Sequence, residues 1–485
     1  MRKMLWTAAT WILLTTRAIG AEPFGPAGIR GTLIVGTGDV AKAEFLKQVG
    51  KAKANTLLIS ATKPSADVLK AWTEAANAKT EWITPEKAAE NFGNAEAAWF
   101  EDGRLEIDER LGAMLRTMLH RGGSIGIAQR KPIRTLLPEG ADRFRREGRT
   151  SPSPKRLAEG PGRFRHCLSD DGVLVIRDRD IKMLEGFAKL GLAASEHRPL
   201  KIERLTKKNE ADLNQWRRAA LARTAPPYPP VKLEAAEVKK GTLIIIGGGG
   251  MPKGGLKRFI ELAGGPDAPI VVLPTSMPDP LPKTGGDAFL LKAGAKNVAV
   301  INARERKDVE DPANLELLRK ARGIWFGGGR QWRFVDAYEG TKAYPLIHDV
   351  LARGGVIAGS SAGATIQGDY LVRGSPLGPN IMMAEGYEKA FGFLPGVAID
   401  QHFAQRKRFG DMTALMKTYP QYLGIGLDEA TAIVVSSHIA EVIGPGEAHF
   451  YDATKKRDAN DPDHDSYKAG TRYDLKKRAP IEEVK

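Results

Sequence analysis

Four sequence blocks occur twice in this chain in the same order, and this repeat constrains the fold more than any other feature. The blocks of the first half are GTLIVGTGDV (31–40), NTLLISATKPSA (55–66), AAWFEDGRL (97–105) and MLHRGGSIGIAQR (118–130). Their counterparts are GTLIIIGGGG (241–250), APIVVLPTSMPD (268–279), GIWFGGGRQ (323–331) and VLARGGVIAGSSA (350–362). Each block is an apolar run that ends in glycine or a polar turn, which is typical of a buried strand. The repeat therefore predicts two units built on one plan.

Amphipathic stretches separate the blocks, for example PKGGLKRFIELAG (252–264) and AYPLIHDVLARGG (343–355). Strands that alternate with helices predict parallel sheets covered on both faces. At 485 residues, the chain is also too long for one ordinary core. We therefore expect an α/β protein with two tandem, doubly wound, flavodoxin-like domains, whose ligands bind at the carboxyl ends of the strands.

Composition along the chain predicts where the domains begin and end. The segment TAPPYPPVKLE (224–234) carries four prolines and is interpreted as a semi-rigid linker between a first domain (22–223) and a second (235–454). Residues 141–166 are rich in Arg, Pro and Gly without periodicity, so we expect an exposed loop there. Residues 455–485 are similarly polar and are expected to form a peripheral tail.

The first 21 residues are typical of a secretory signal peptide. Arg2 and Lys3 precede an apolar stretch from Met4 to Leu14, and small residues follow. This stretch is too short to span a bilayer, so the expected location is secreted or periplasmic, without stable membrane insertion after cleavage. Arg17 lies close to the expected cleavage point, which leaves a retained anchor as the alternative.

Charge and cysteine content exclude several classes of function. The net charge is +15, but the basic residues are dispersed and no nucleic-acid-binding motif accompanies them, so we expect no nucleic-acid partner. The single cysteine, Cys167, allows neither an internal disulfide nor a thiolate zinc cluster.

Two further motifs fail on inspection. The run GGGG (247–250) follows an apolar block, but Pro252 stands where a dinucleotide-binding G-x-G-x-x-G needs glycine. The acidic DPDHD (461–465) has Ser466 and Arg472 where a calcium loop needs Gly and Glu. We predict no metal and no cofactor.

One turn has the pattern of an activated serine. GSSAG (359–363) satisfies G-x-S-x-G with Ser361 at its centre, after an apolar run and before a helix start. Such a sharp turn exposes the hydroxyl and directs the next backbone N–H, here of Ala362, toward a developing oxyanion. A Gly- and Ser-rich turn is equally typical of a plain helix N-cap. When Gly122 is matched to Gly354, Gln129 falls opposite Ser361, so the first domain is predicted to be a degenerate copy without catalytic residues.

A nucleophilic serine needs a base and a group that orients the base. The histidines after the turn are His402, His438, His449 and His464. His402 is favoured because it stands in AIDQHFAQRKRF (398–409), where an apolar strand gives way to polar residues. His438 is interpreted as a half-buried strand residue, and His464 lies in the tail.

The orienting acid is sought in YLGIGLDEATAIVV (422–435), which offers Asp428 and Glu429 between two apolar runs. Either residue could equally be an ordinary turn residue.

Four motifs together resemble one known family. GSSAGA, DQHFAQRKR, GIGLDEATA and the Gly-Gly-x-Gln of GGGRQ are similar, in order and over residues 240–450, to cyanophycinase and its relatives in peptidase family S51. The domain of that family resembles class I glutamine amidotransferases. The resemblance implies Ser361 as nucleophile, His402 as general base and then acid, and Glu429, rather than Asp428, as the orienting acid. It also implies Gly329 and Ala362 as the oxyanion hole.

The resemblance further implies a substrate site, made of Gln331, Asp400, Gln401, Arg406 and Arg408. Guanidinium groups can grip a carboxylate in a bidentate fashion, and Asp400 could hold a cation. Without the resemblance, the two arginines would be interpreted as a solvated helix face. The sequence departs from the family at Asp411, where a third arginine is expected, and at Ser360, where threonine is. The first departure leaves cleavage of the family's β-Asp-Arg linkage open.

These features predict an exported serine exopeptidase that hydrolyses Asp-containing peptide or isopeptide bonds through an acyl-enzyme. The partner is a peptide substrate, and a homodimer is left open. The alternative is a catalytically silent binding or scaffold protein of the same fold. A cysteine amidotransferase is excluded, because Cys167 lies in the other half of the chain.

Overall fold

The computed structural model describes residues 29–482 except 37, 61–62, 85–86, 89–94, 102–113, 116–117, 119–120, 122, 129–163, 170, 280, 282–285 and 459. The chain divides into two compact units, one ending at Pro226 and the other running on from Pro227. This boundary falls inside the expected linker. The expected signal peptide lies outside the described residues, as do Gln129 and most of the segment 141–166.

The first unit contains the following described elements. They are β1 (Ile29–Gly36), α1 (Gly38–Ala52), β2 (Thr56–Ile59), α2 (Ala66–Ala76), β3 (Thr80–Ile83), β4 (Ala97–Phe100), β5 (Ser124–Ala128), β6 (Phe164–Leu168), β7 (Val173–Asp178), β8 (Asp180–Glu185), β9 (Ala188–Leu192), β10 (Lys201–Leu205), β11 (Ala211–Asp212) and α3 (Leu213–Ala222).

The second unit begins with an alternation of strands and helices and ends in antiparallel strands. Its elements are β12 (Val238–Ile246), α4 (Gly255–Ala263), β13 (Ile270–Leu273), α5 (Ala288–Lys292), β14 (Val298–Val300), α6 (Arg306–Val309), α7 (Pro312–Lys320), β15 (Gly323–Phe326), α8 (Trp332–Tyr338), α9 (Ala343–Ala352), β16 (Val356–Ser360), α10 (Ala362–Thr365), β17 (Val397–Gln401), α11 (Phe409–Thr418), β18 (Leu423–Leu427), β19 (Ala432–Ser437), β20 (Ile439–Ile443), β21 (Ala448–Asp452), β22 (Asp465–Tyr467), β23 (Arg472–Asp474) and β24 (Ala479–Pro480).

The main sheets of the two units share one strand order. In the first unit, five parallel strands lie in the order β3-β2-β4-β5-β1, and β7 pairs antiparallel with β1. In the second unit, the order is β14-β13-β15-β16-β12, with β19 antiparallel to β12. The register also agrees, since Thr32 faces Ser124 and Thr242 faces Val356.

The repeated blocks occupy the equivalent strands of these two sheets, and the α/β prediction is confirmed. That the first unit is a degenerate copy of the second stays a prediction, because the residue opposite Ser361 lies outside the described part of the chain.

The core of the second sheet follows from its apolar strands. Leu243, Ile244 and Ile245 of β12 are fully buried, as expected of a parallel strand covered on both faces. On one face, α4 buries Phe259 against Trp325 of β15, with ring centroids 5.4 Å apart. The helix ends at Gly264, whose left-handed φ of 112° suits glycine as a C-cap. This packing fixes the strand ends from which the site is built.

Two segments differ from the sequence expectation. Residues 164–168 form β6, paired with β9, although 141–166 was expected to be a loop. The expected peripheral tail also contributes strands: β22 pairs with β21, and β23 extends the main sheet beside β20. Within it, Tyr473 is buried and stacks on Phe450, with centroids 3.9 Å apart. Strands of two or three residues are too short to give a period, so the sequence did not indicate them.

Over the described ranges, no helix is long and apolar enough to cross a membrane.

Candidate active site

Ser361 occupies a sharp turn between β16 and α10. Its φ of 57° and ψ of −113° are unfavourable for a residue with a Cβ, as in the strained turns that expose nucleophiles. The Ser361 N–H donates to the carbonyl of Ile246 at the end of β12, at 3.0 Å. A Cβ at Gly359 would lie 2.2 Å from the carbonyl oxygen of Gly363, so the turn requires glycine there.

His402 and Glu429 complete a hydrogen-bonded line from the serine. The Oγ of Ser361 lies 2.9 Å from Nε2 of His402, and Nδ1 of His402 lies 2.5 Å from Oε1 of Glu429. His402 follows β17 and Glu429 follows β18. These strands are parallel neighbours in a second sheet of this unit, which has the order β17-β18-β21-β22, so their carboxyl ends meet at one edge. The three side chains have the connectivity of a nucleophile, a base and an orienting acid.

The glycine run after β12 lies against His402 and Glu429. A Cβ at Gly248 would come within 2.5 Å of Nε2 of His402, and a Cβ at Gly249 within 2.3 Å of Cδ of Glu429. The carbonyl of Gly247 accepts the His402 N–H at 2.7 Å. Sequence reasoning weighed these glycines only as a nucleotide loop and missed this role. The available signal was their place at the end of the strand next to the serine strand.

The surroundings of His402 lower its pKa below the ordinary value. Burial is the largest cause, and the positive charges of Arg406 and Arg408 act in the same direction, while the hydrogen bond to Glu429 opposes them. The lowered pKa favours the uncharged imidazole, which is the form that accepts a proton from a serine.

The two expected oxyanion-hole residues belong to the serine turn and to the loop after β15. Ala362 is the first residue of α10, and N–H groups of a first helical turn have no acceptor within the helix. Gly329 has φ 141°, and a Cβ there would lie 2.0 Å from the carbonyl of Ser276. Its neighbour Gly328 faces the serine, since a Cβ at 328 would lie 3.5 Å from that of Ser361.

The expected substrate residues differ in whether their charged groups are available to bind a substrate. Asp400 is fully buried and binds two arginines of the chain itself, Arg373 and Arg408. Arg408 also donates to the carbonyl of Gln401 at 2.7 Å, whereas Arg406 is exposed. The Asp400 carboxylate is thus already neutralised, and Arg408 is committed to it.

The two glutamines of the expected set are both buried. Gln331 donates from Nε2 to the carbonyl of Val372 at 2.7 Å. Gln401, which precedes His402, has an Oε1 that is buried without a hydrogen-bond partner among the described residues.

Arg373 was missed by sequence reasoning. Its side chain is 2% exposed, and its Nη2 lies 2.9 Å from Asp400 and 2.7 Å from Asp411. The acidic residue that departs from the family pattern therefore has a cation of the chain beside it. No spacing or periodicity around residue 373 indicates this role, because the contacts come from segments 27 and 38 positions away.

The other candidates lie apart from Ser361. Asp428 accepts hydrogen bonds from the N–H groups of Ala404 and Glu447 and from His449, so it braces the turn that carries Glu429. His438 lies beside Ser437, and His464 beside Asp463. In the described part of the chain, no three His, Cys, Asp or Glu side chains are grouped so as to hold a metal ion.

Comparison with known proteins identifies a family that matches the second unit. The family model of peptidase family S51 matches residues 236–443, which contain the whole hydrogen-bonded line. Cyanophycinase of Geminocystis herdmanii is 31% identical over 223 residues, 44% of this chain and 81% of the relative. Cyanophycinase of Synechococcus elongatus is 32% identical over 222 residues, 44% of this chain and 68% of the relative.

Solved structures align over the same share of the chain. A peptidase from an acI-B1 actinobacterium is 22% identical, with a TM-score of 0.39, over 50% of this chain and 98% of its own. A putative peptidase E protein from Listeria monocytogenes is 18% identical, with a TM-score of 0.32, over 42% of this chain and 96% of its own.

The family model matches the chain, and the chain covers most of the length of its cyanophycinase relatives. The candidate site lies within the matched region. This chain therefore belongs to peptidase family S51.

Proposed function

We propose that this protein is a serine peptidase that hydrolyses peptide or isopeptide bonds of aspartyl residues through an acyl-enzyme. The observation that carries the proposal is the continuous line from Ser361 Oγ through His402 to Glu429. Ser361 is strained and lies at a strand end, as a nucleophile requires, and a plain N-cap would need neither a histidine nor an acid behind it.

Each residue of the line has a defined step. Nε2 of His402 accepts the Ser361 hydroxyl proton while Oγ bonds to the substrate carbonyl carbon. The tetrahedral intermediate collapses, the carbon–nitrogen bond breaks, and His402 gives the proton to the leaving amine. Water, deprotonated by His402, then attacks the ester, and the acid and free Ser361 result. Glu429 fixes the orientation of the His402 ring and stabilises the imidazolium that forms during acylation and again during hydrolysis of the ester.

The negative charge that develops on the carbonyl oxygen needs donors. The N–H groups of Ala362 and Gly329 are the proposed pair, because one follows Ser361 directly and the other lies on the loop that faces it. Donors that are already in place cost no reorganisation when the charge appears.

The proposed substrate class comes from the relatives. The curated relatives are cyanophycinases, and the family resemblance suggests an acidic acyl residue. The ion pair between Arg373 and Asp411 alters the pocket where the family's third arginine is expected, so the leaving group is the part of the substrate expected to differ. Export, proposed from residues 1–21 alone, would bring the enzyme to extracellular or periplasmic peptides.

The test offers purified protein cyanophycin, β-linked Asp dipeptides and α-linked Asp dipeptides in parallel and measures the released amine. We expect hydrolysis of at least one Asp substrate and its loss in Ser361→Ala. Full activity in that variant would refute the nucleophile, and cleavage of α-linked peptides alone would refute the cyanophycinase-like linkage while sparing the triad. A protein that cleaves none of them and is not labelled at Ser361 by a fluorophosphonate would instead be a binding protein of this fold.

A further inference from the structure

Three arginines follow strands β14 and β15 of the main sheet. Arg330 is in the loop after β15, Arg333 is in the first turn of α8, and Arg304 follows β14. In the main sheet, β14, β13 and β15 lie side by side, and β15 adjoins the serine strand β16. Because parallel strands end at one edge, these arginines and Ser361 share the edge where doubly wound sheets bind ligands.

Arg330 lies in the same loop as Gly328. It follows Gly328, which faces Ser361, by two residues. Its N–H donates to the carbonyl of Ser276 at 2.8 Å, and its guanidinium donates to the carbonyl of Ser375. The loop is therefore held from both sides, and the position of the Arg330 guanidinium is fixed.

Arg330 differs from Arg304 and Arg333 in its ion pairing within the described part of the chain. Arg304 and Arg333 both reach the carboxylate of Asp279, which is 72% exposed. Arg330 has no carboxylate partner among the described residues, and its Nε is buried without a hydrogen-bond partner there. Burial and the charge of Arg333 lower the pKa of Arg330 below its ordinary value. Residues 280 and 282–285, which are not described, contain no acid.

A partly buried cation without a counter-ion is costly, and an incoming anion relieves this cost. Arg408, which the family resemblance assigns to the substrate site, is less able to bind an anion, since it is bound to Asp400 and to the carbonyl of Gln401. The charge needed to recognise an acidic substrate is therefore available on the β15 side.

The chemistry of the site indicates which part of the substrate lies there. The leaving amine must approach His402, which protonates it, and His402 lies against Gly248 on the β12 side of the serine strand. The acyl residue consequently extends toward the other neighbour of β16, which is β15.

We propose that Arg330, supported by Arg304 and Arg333, binds the free carboxylate of the acyl residue and thereby selects an acidic acyl residue. This inference rests on the proposed function and assigns its specificity to Arg330, the variable position of the Gly-Gly-x-Gln motif, and to Arg304 and Arg333 outside that motif.

The experiment compares two substrates that differ by one charge. The first is the Asp dipeptide that the enzyme cleaves, and the second carries a carboxamide in place of the free carboxylate of its acyl residue. Arg330→Gln is expected to lower kcat/KM for the acidic substrate about 10- to 100-fold, mainly through KM, as for loss of one charge-assisted hydrogen bond. The carboxamide substrate should change less than about threefold.

The matched control is Arg322→Gln, which removes an exposed guanidinium just before the opposite end of β15. Arg322→Gln should leave kcat/KM for both substrates unchanged. Arg330→Lys should retain part of the preference for the acidic substrate over the carboxamide. An equal loss on both substrates, or no loss on the acidic one, in Arg330→Gln would overturn the proposal.

A binding measurement separates this proposal from the proposed reaction. Calorimetry on Ser361→Ala should give tighter binding of L-aspartate than of the monoamide that lacks the carboxylate left free in the cleaved substrate. This monoamide is L-asparagine for an α-linked substrate and L-isoasparagine for a β-linked one, and the added Arg330→Gln change should remove the difference. If this preference is present but the wild type hydrolyses no Asp substrate, the reaction is refuted and the anion site stands. If hydrolysis occurs and Arg330→Gln leaves the preference intact, the anion site is refuted and the reaction stands.

Discussion

The ring of His402 packs directly on the backbone of Gly248, so that a Cβ at position 248 would overlap its Nε2 edge at 2.5 Å. The two residues are 154 positions apart, yet Gly248 determines where His402 can hold its proton acceptor, Nε2, relative to Ser361. The glycine run after β12 is therefore part of the catalytic geometry proposed here.

Gly248→Ala should displace His402 and lower kcat by about 100-fold or more, because a shift of about 1 Å in a catalytic group has this effect. Kinetics on an Asp substrate would measure it. Gly254→Ala is the matched control: Gly254 also has a positive φ, 78° against 93° for Gly248, but a Cβ there meets nothing within 4 Å. Equal losses in the two variants would mean that backbone strain, rather than the contact with His402, is responsible.

Glu429→Gln should lower kcat by about 10³- to 10⁴-fold while the protein stays folded, because a neutral amide no longer stabilises the imidazolium. Asp428→Asn serves as the comparison, since Asp428 braces the turn through Ala404 and Glu447 and does not contact His402 in the hydrogen-bonded line. It should reduce thermal stability more than kcat. The reverse pattern would make Asp428 the orienting acid.

Arg406→Gln should move the acid limb of the kcat/KM–pH profile to higher pH. The positive charge of Arg406 disfavours the imidazolium and so helps to lower the pKa of His402, and its removal raises that pKa. The catalytically competent neutral imidazole is then lost at a higher pH as the solution is acidified. Added salt should shift the wild-type profile in the same direction, since Arg406 is exposed and its charge is screened.

A shift to lower pH in Arg406→Gln would contradict the assignment of His402 as the base. Lys407→Gln, a change at the exposed neighbouring residue, provides the control for a general loss of positive charge.

Asp411→Arg should destabilise the protein by about 1–2 kcal/mol rather than restore the family's pocket. The new cation would face Arg373, which is 2% exposed and would keep only Asp400 as an acidic partner, while the half-exposed position of Asp411 limits the cost. Urea denaturation would measure the change, with Asp411→Asn as the control for loss of the anion alone. An unchanged free energy of unfolding in Asp411→Arg would mean that the ion pair between Arg373 and Asp411 contributes nothing to stability.

The parts of the fold that the sequence predicted are those with local signals. β12 ends in the apolar run Leu243–Ile246 and β16 begins with the apolar run Val356–Ala358. Each run is followed by small residues, so both the sheet and the turn at Ser361 were predicted from the pattern. His402 and Glu429 were identified through motifs that stand at strand ends. The assignment of their roles stays a prediction until the variants are measured.

The parts that were missed depend on contacts between distant segments. Arg373 meets Asp400 and Asp411 only after three segments have packed, and Gly248 gains its role from the ring placed against it. Arg330 lies in a glycine-rich loop whose sequence does not indicate its missing counter-ion. The strands β22 and β23 are three residues each, below the length at which alternation can be recognised.

The shared strand order of the two main sheets has a consequence for how the chain folds. Both β1 and β12 contain Gly-Thr-Leu-Ile, and each pairs in parallel with a strand of the same rank, β5 or β16. During synthesis, β1 through β5 emerge before β12 exists, so the first sheet closes without a competitor. A chain diluted from denaturant presents both sets at once, and strands of one half can insert into the sheet of the other, within one molecule or between two. The yield of native protein on refolding should therefore fall with protein concentration.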